Sequence, residues 1–139
     1  MSSKELIILR GLPGSGKTTV AKQIVDGSRD AIICSSDSYF MEDGKYVFRP
    51  EELKQAHNAC QMSVMRAMAN GIAVVIVDNT NIKRDDMRPY VEMALHNGYE
   101  VTIRTIGGMT PKDIETYLKR QVHGVPQEKV EKMAHEYED

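Results

Sequence analysis

Residues 11–18 decide the fold, and they read Gly11-Leu12-Pro13-Gly14-Ser15-Gly16-Lys17-Thr18. This stretch satisfies the pattern G-x-x-x-x-G-K-[ST], in which glycines let successive backbone N–H groups point at an anion. It follows the apolar run Leu6 to Leu9 and opens a predicted helix over 17–26, whose positive N-terminus faces the same anion. The alternative is a plain glycine-rich turn before a helix. Its position between a strand and a helix favours a phosphate-binding loop (P-loop).

The rest of the chain alternates predicted strands and helices. Strands are predicted over 31–34, 73–77 and 99–106, the last at an edge of the sheet, with a polar loop after the first of them. Predicted helices end at Gly27, Gly71 and Gly98, where glycine supplies a left-handed cap before the next strand. Such β-α-β units predict an α/β, three-layer fold, with a four-stranded parallel sheet and helices on both faces.

Four further helices are predicted from local patterns. A long helix opens at Pro50 and Glu51, and its apolar stripe is Leu53, Ala56, Cys60, Val64 and Ala67. A second carries the stripe Met87, Tyr90, Val91, Ala94 and Leu95, with its N-cap near Asp85 or Asp86 so that Pro89 falls in the first turn. Two C-terminal helices begin after Thr110 and near Pro126 and would form a helical lid.

Composition predicts one domain over residues 1–139 and argues against several classes of protein. Of the 139 residues, 41% are hydrophobic and 27% are charged, which is ordinary for a globular protein. The longest apolar run, Ile72 to Val77, is far shorter than the about 20 residues of a membrane-spanning helix. The net charge of −2 does not suggest a duplex-DNA-binding face, although Lys83-Arg84 and Lys119-Arg120 could contact nucleic acid.

The two cysteines and the N-terminus predict a cytoplasmic location. Cys34 and Cys60 lie among apolar neighbours and are expected to be reduced core residues, with a disulfide as the less favoured alternative. The first residues, Met1 to Glu5, run directly into a strand and do not resemble a signal or transit peptide.

Four positions outside the glycines carry candidate chemistry for binding ATP and Mg²⁺. Lys17 is expected to contact the β- and γ-phosphates, and the Thr18 hydroxyl to hold Mg²⁺. Asp78 ends a hydrophobic strand, where it can bind the metal directly or through water, or else cap a turn. Asn79 follows Asp78, at the position where motor ATPases carry a Glu that polarises water. This difference disfavours ATP hydrolysis as the function of the protein. With no Cys/His ligand spacing, Mg²⁺ rather than zinc is expected.

Asp37 and His57 are candidates for the acceptor side of the site. Asp37 comes just after the strand over 31–34, and ligands of open parallel sheets bind beyond the carboxyl ends of the strands. Its carboxylate can take a proton from an incoming hydroxyl, or it can close an Asx-turn. His57 has helical spacing from Cys60 and Val64, so packing near the core is the default, with acceptor contact as the alternative.

A basic hinge over 119–126 separates the last two predicted helices. An arginine that reaches a transferring phosphoryl group stabilises its charge, and a lid that carries it excludes water. Arg120 is the candidate for this role. Its alternative is a favourable charge at the C-terminus of a helix.

These residues together resemble the P-loop kinase family of the bacteriophage polynucleotide 5′-kinase. The resemblance extends to the kinase module of the vertebrate NEDD4-binding-protein-like family. It rests on residues 11–19 and Ser36-Asp37-Ser38-Tyr39-Phe40, and on the segments Ala56-His57, Val77-Asp78-Asn79-Thr80-Asn81, Met87-Arg88-Pro89-Tyr90, Gly98-Tyr99-Glu100-Val101 and His123-Gly124-Val125-Pro126. The match keeps its order over nearly the whole chain.

The resemblance implies an ATP-dependent kinase that phosphorylates a 5′-hydroxyl of DNA or RNA. It implies Lys17, Asp37 as general base and the lid arginine Arg120 as catalytic residues, with Thr18 and Asp78 at Mg²⁺. ATP would be bound by Pro13, Gly14, Ser15, Gly16, Lys17, Thr18, Thr19 and Arg120. Two departures concern the acceptor: Phe40 stands where the phage enzyme has an acceptor-contacting Arg, and the lid is shorter and less basic.

Three functions are therefore compatible with the sequence. The leading one is a polynucleotide 5′-hydroxyl kinase. The second is a nucleoside or metabolite kinase on the same scaffold, favoured by the negative net charge and by Phe40. The third is a nucleotide-binding interaction module without turnover. The sequence predicts no oligomeric state.

Overall fold

Four parallel strands form the central sheet of the computed structural model, which describes residues 4–121 and 124–139. In chain order the elements are β1 (Glu5–Arg10), α1 (Lys17–Asp26), β2 (Ala31–Cys34), β3 (Met41–Glu42), β4 (Lys45–Tyr46), α2 (Leu53–Ala69), β5 (Val74–Asp78), α3 (Arg84–Asn97), β6 (Glu100–Thr105), α4 (Pro111–Arg120) and α5 (Gln127–Glu136). The strand order is β2-β5-β1-β6, so β6 is an edge strand, as predicted. The predicted α/β fold with four parallel strands is confirmed.

Side chains alternate between the two faces of this sheet and create two apolar layers. Ile7, Leu9 and Ile76 pack with α1 on one face. On the other face, Leu6 and Ile8 pack with residues of α2 and α3. Successive side chains of a strand point to opposite faces, so a strand covered on both sides must be apolar throughout.

A third apolar cluster joins α4 and α5 to the ends of β1 and β5. It contains Leu12, Ile82, Ile114, Tyr117 and Val130, all buried. The cluster holds the two C-terminal helices beside the loops that follow the strands, which is the edge where an open parallel sheet binds ligands. Within the described ranges, no helix is long and apolar enough to cross a bilayer.

The start of α3 differs from the prediction. The helix begins at Arg84, with Lys83 as its N-cap, and the Asp86 carboxylate accepts the Lys83 backbone N–H at 3.0 Å. Pro89 consequently lies in the second turn and not in the first. A proline there removes one backbone donor, leaving the carbonyl of Asp85 without its usual helical partner on an exposed part of the helix.

Two other local predictions were wrong in part. Gly71 and Gly98 have φ values of 70° and 73° and are left-handed, but Gly27 has a φ of −88° and ends α1 in a conformation open to any residue. Leu53 and Leu95 extend the predicted apolar stripes too far, since their exposed fractions are 39% and 73%. Periodicity alone does not reveal where a helix projects beyond the layer that covers it.

Arg10, at the end of β1, is buried and holds the C-terminal segment, a role that the sequence did not indicate. Its Nε donates to the carbonyl oxygen of Asn81 at 2.8 Å, and its Nη2 donates to those of Ile82 and Glu138. Its guanidinium also lies 4.2 Å from the centre of the Tyr137 ring. One side chain thus joins the end of β1, the segment after β5 and the C-terminus.

Replacing Arg10 with alanine is expected to lower the free energy of unfolding by about 3 kcal/mol, because buried carbonyl groups lose charged donors and a cavity remains. Urea unfolding followed by circular dichroism measures this change. Arg104→Ala is the matched control, since Arg104 is exposed on β6, and its effect should stay within about 0.5 kcal/mol. Equal destabilisation by the two substitutions would contradict the role assigned to Arg10.

Candidate active site

The P-loop lies between β1 and α1 in the conformation that its glycines allow. Gly14 and Gly16 have φ values of 84° and 105°, in the region that side chains disfavour, and Gly16 is the N-cap of α1. Lys17 is buried beneath the loop, and its ammonium group donates to the carbonyl oxygens of Gly11 and Leu12, both at 3.0 Å. The loop therefore presents the start of α1 and one amine to the same space.

The C-terminal end of α4 lies directly on the P-loop. A Cβ atom on Gly14 would be 2.4 Å from the backbone oxygen of Tyr117, so only glycine fits this approach. Arg120 donates from Nη2 to the Gly14 carbonyl oxygen at 3.0 Å, and its guanidinium lies 5.5 Å from the Tyr117 ring centre. The candidate lid arginine is thus already at the candidate phosphate site.

The two candidate metal ligands contact each other. The Thr18 hydroxyl donates to Asp78 Oδ2 at 2.9 Å, and the Asp78 side chain is buried at the end of β5. Burial raises the pKa of Asp78 above its usual value, while the Thr18 hydrogen bond and the Lys17 charge oppose that shift. A hydroxyl and a carboxylate are hard oxygen donors of the kind that Mg²⁺ uses in nucleotide sites, so these residues fit the ion.

Lys17 has two carboxylates within electrostatic reach. Burial lowers its pKa from the ordinary value, and the charges of Asp78 and Asp37 oppose this effect in that order. An ammonium group that is buried among carboxylates is well placed to compensate the charge of an incoming phosphate.

Asp37 is exposed at the carboxyl end of β2, in a 3-10 turn over Ser36–Phe40. Its backbone N–H donates to the Ser35 hydroxyl at 3.1 Å, so a serine caps the turn. Its carboxylate accepts a hydrogen bond from the Tyr46 hydroxyl at 3.3 Å. The carboxylate is therefore directed by a tyrosine from the hairpin formed by β3 and β4.

Asn79 connects the ends of β5 and β2, a function that its position after Asp78 did not reveal. Its side-chain oxygen accepts the Ser36 backbone N–H at 2.8 Å, and the Ser36 hydroxyl lies 3.0 Å from His57 Nδ1. This chain of contacts fixes the turn that carries Asp37. His57 is exposed, so the prediction that it packs near the core was wrong.

The hairpin and the residues on either side of it form an aromatic cluster, in the segment that the sequence predicted to be a polar loop. Phe40 is buried, and its ring lies edge-on to those of Tyr46 and Phe48, with centroids at 6.1 and 5.1 Å. The missed signal was Asp43-Gly44, whose positive φ values of 49° and 78° form a tight hairpin turn.

One cleft of about 550 Å³ joins these features. It is lined by Pro13, Gly14, Gly16, Lys17, Thr18, Thr19, Ser36, Asp37, Phe40, Tyr46, Phe48, Leu53, His57, Asp78, Asn79, Thr80, Arg120, Gln121, Gly124, Val125, Pro126, Lys129 and Met133. Ser15 does not line it, because its hydroxyl is buried below the loop without a hydrogen-bond partner in the described part of the chain. Val122 and His123 of the basic hinge lie outside the described residues.

A P-loop after the central strand, an Asp at the end of the neighbouring strand and two helices over the loop define a P-loop kinase fold. Residues 6–139 match the AAA_33 family, described as an AAA domain, and the chain belongs to that family. Human NEDD4-binding protein 2 is 35% identical over 136 residues, which are 96% of this chain and 8% of that protein. The chain thus spans less than a tenth of this relative's length.

Solved structures share the fold at lower identity. A chain of the Pnkp1/Rnl/Hen1 complex has a TM-score of 0.68 and 23% identity, with 91% of this chain and 42% of that chain covered. Kti12 of Chaetomium thermophilum, in complex with ADP-AlF3, has a TM-score of 0.69 and 21% identity, with coverage of 96% and 80%. These likenesses confirm the predicted P-loop kinase architecture.

Proposed function

We propose that this chain is an ATP-dependent phosphotransferase that moves the γ-phosphate to the 5′-hydroxyl of a polynucleotide. The observation that carries the proposal is the meeting of Lys17, Asp37, Asp78 and Arg120 along one cleft. The P-loop would bind the nucleotide. The exposed carboxylate of Asp37 would take the proton that the acceptor hydroxyl must lose.

In the proposed reaction, the acceptor oxygen attacks the γ-phosphorus of ATP and forms a new P–O bond. The bond between that phosphorus and the β–γ bridging oxygen breaks, and ADP leaves with the electron pair. Asp37 accepts the hydroxyl proton. Lys17 and Arg120 compensate the negative charge on the phosphoryl oxygens, since phosphoryl transfer depends mostly on positioning and electrostatic stabilisation.

Thr18 and Asp78 would hold Mg²⁺. When bound with ATP, the ion would supply positive charge that neutralises part of the charge of the phosphates. Asp78 is suited to this position because its hydrogen bond from Thr18 directs one carboxylate oxygen to the start of α1.

A polynucleotide acceptor is favoured over a small metabolite by two observations. Beside Asp37 the cleft is lined by the aromatic side chains of Tyr46 and Phe48, a surface that a small polar metabolite would not need. One of the similar structures is also part of the Pnkp1/Rnl/Hen1 RNA repair complex. Phe40, which had favoured a metabolite kinase, lines the cleft but is only 1% exposed, with Tyr46 and Phe48 packed on its ring.

A cytoplasmic location forms part of the proposal. Cys34 and Cys60 are both free and buried, as expected of reduced core thiols. Burial raises the pKa of Cys34 to about 12, which keeps this thiol protonated and unreactive.

Incubation with γ-labelled ATP, Mg²⁺ and single-stranded DNA and RNA that carry 5′-hydroxyl ends tests the proposal. Labelled 5′-phosphate ends are the expected product. Transfer to a nucleoside or sugar but to no polynucleotide would replace this proposal with the metabolite kinase. ATP binding without transfer to any acceptor would favour the interaction module.

Asp37→Asn is expected to lower kcat by about 10²-fold or more, since a positioned general base contributes about 10²–10⁴-fold. ATP affinity should remain near that of the wild type, because Asp37 lies on the acceptor side. Initial rates with a 5′-hydroxyl oligonucleotide and ATP binding by calorimetry measure the two quantities. Asp43→Asn is the matched control, since Asp43 is exposed at the hairpin turn. Equal loss of ATP affinity in the Asp37 variant would contradict the assigned role.

A further inference from the structure

The hairpin and the segment after it expose two aromatic rings to the cleft. The rings of Tyr46 and Phe48 are nearly parallel, with an interplanar angle of 9° and centroids 6.3 Å apart. This separation corresponds to an offset arrangement. Phe48 is 38% exposed and Tyr46 is half-buried, so each keeps part of its surface open to the cleft.

Phe40 supports both rings from the protein side. It is 1% exposed, and its ring meets those of Tyr46 and Phe48 at angles of 76° and 68°. Edge-to-face contacts of this kind fix the orientation of the outer rings. The pair is therefore held in place before any ligand arrives, which reduces the entropy lost on binding.

The position of the pair relative to Asp37 sets what can bind there. The Tyr46 hydroxyl donates to Asp37 Oδ1 at 3.3 Å, so the aromatic surface begins at the proposed general base. An acceptor whose hydroxyl is at Asp37 must place its next group against Tyr46 or Phe48. In a nucleotide that group is the base, joined to the 5′-hydroxyl through one sugar ring.

Charge around the pair is suited to a strand that continues beyond its first base. Lys129 of α5 lies with Nζ 5.1 Å from the centre of the Phe48 ring, and it lines the same cleft. A cation beside aromatic rings is the combination that proteins use for single-stranded nucleic acids, where bases stack and the backbone meets positive charge. Leu53 and Met133 complete the apolar part of this wall.

We propose that Tyr46 and Phe48, supported by Phe40 and flanked by Lys129, form the subsite for the unpaired 5′-terminal base of the acceptor strand. This inference rests on the proposed function and specifies its substrate class as single strands or 5′ overhangs. A base paired in a blunt duplex has its face covered by the next base pair and cannot lie flat on the rings. The enzyme accordingly prefers an end whose base is free.

The experiment compares two acceptors that differ in one base. One is a single-stranded oligonucleotide with a normal 5′-terminal nucleotide, and the other has an abasic residue at that position. Phe48→Leu removes the aromatic face while keeping an apolar side chain, and Phe48→Trp restores a larger one. Leu95→Ala, at a position 73% exposed on α3, is the control outside the cleft. All rates are measured at one salt concentration.

The wild type is expected to show a kcat/KM ratio of about 5- to 150-fold in favour of the base-bearing end, the range given by stacking of about 1–3 kcal/mol per base. Phe48→Leu should lower this ratio towards one, and Phe48→Trp should keep it. An unchanged ratio in Phe48→Leu would overturn the proposal. So would a tenfold loss of ATP affinity in that variant, because the rings would then bind the adenine of ATP.

A binding measurement separates this inference from the proposed function. A 5′-deoxy oligonucleotide, which lacks the reacting hydroxyl, is titrated against the protein by fluorescence anisotropy, with and without its terminal base. Weaker binding of the base-bearing strand by Phe48→Leu than by the wild type supports the subsite even if no polynucleotide is phosphorylated. Equal binding by the two proteins would overturn the subsite even if phosphoryl transfer is observed.

Discussion

Lys17→Ala is expected to abolish phosphoryl transfer, with kcat/KM falling at least about 10³-fold. The Lys17 ammonium is the buried cation closest to the phosphate loop, held by the carbonyl oxygens of Gly11 and Leu12. An electrostatic group aimed at developing charge in a water-poor site is typically worth 10²–10³-fold, and this lysine would also bind ground-state ATP. Single-turnover rates with γ-labelled ATP and calorimetric ATP binding measure both losses.

The fold should tolerate this substitution better than the activity does. Removing a desolvated charge ends a desolvation cost, although Asp78 then loses a favourable neighbour. Thermal unfolding monitored by circular dichroism is expected to shift by only a few degrees. Lys22→Ala is the matched control, since Lys22 lies exposed on the same helix. A Lys17→Ala enzyme that keeps a tenth of the wild-type rate would exclude a phosphate-binding role for this lysine.

The positions of the charged groups could be predicted because the carboxyl ends of parallel strands lie at the same edge of the sheet. Asp37 follows β2, Asp78 ends β5 and the P-loop follows β1. The carboxyl ends of these three strands therefore bring the groups together without any knowledge of packing. The spacing of the glycines and the lysine in residues 11–18 by itself predicts the shape of a phosphate-binding loop. Local chemistry and topology together were therefore sufficient to place the candidate site.

The connections between these groups could not be predicted in the same way. Asn79 reaches Ser36 across 43 positions of sequence, and Arg10 reaches Asn81 across 71. No local sequence pattern predicts either contact, because each forms only when distant segments meet in the assembled sheet. The hairpin was different, because Asp43-Gly44 carried a local signal.

The structure also changes how Phe40 is interpreted. The sequence comparison with the phage kinase treated it as a missing acceptor-contacting arginine. In the structure Phe40 is buried, lines the cleft and supports Tyr46 and Phe48. Arg49 lies 5.7 Å from the Phe40 ring centre and pairs with Glu42 and Glu52 on the outer side.

The lid arginine offers the second test of the proposed mechanism. Arg120→Ala is expected to lower kcat by about 10³-fold or more, since an arginine at the transferring phosphoryl group is worth 10³–10⁵-fold. Arg120 lines the cleft and donates to the Gly14 carbonyl oxygen, so it needs only a side-chain rotation to turn from the loop to a phosphate. Arg120→Lys should recover little activity, because an ammonium lacks the planar fork of a guanidinium.

A purely structural role for Arg120 gives the opposite pattern. If the side chain serves only as a positive charge at the C-terminus of α4, Arg120→Ala should lower the unfolding midpoint slightly and leave kcat unchanged. Lys119→Ala is the matched control, since Lys119 is the neighbouring exposed cation and forms an ion pair with Glu115 at 3.8 Å. Stopped-flow transfer rates and thermal unfolding of the three variants discriminate between the roles. A kcat loss confined to position 120 excludes a helix-dipole effect, which would appear at both positions. An unfolding midpoint unchanged from that of the wild type then supports action of the guanidinium on the phosphoryl group over support of the loop at Gly14.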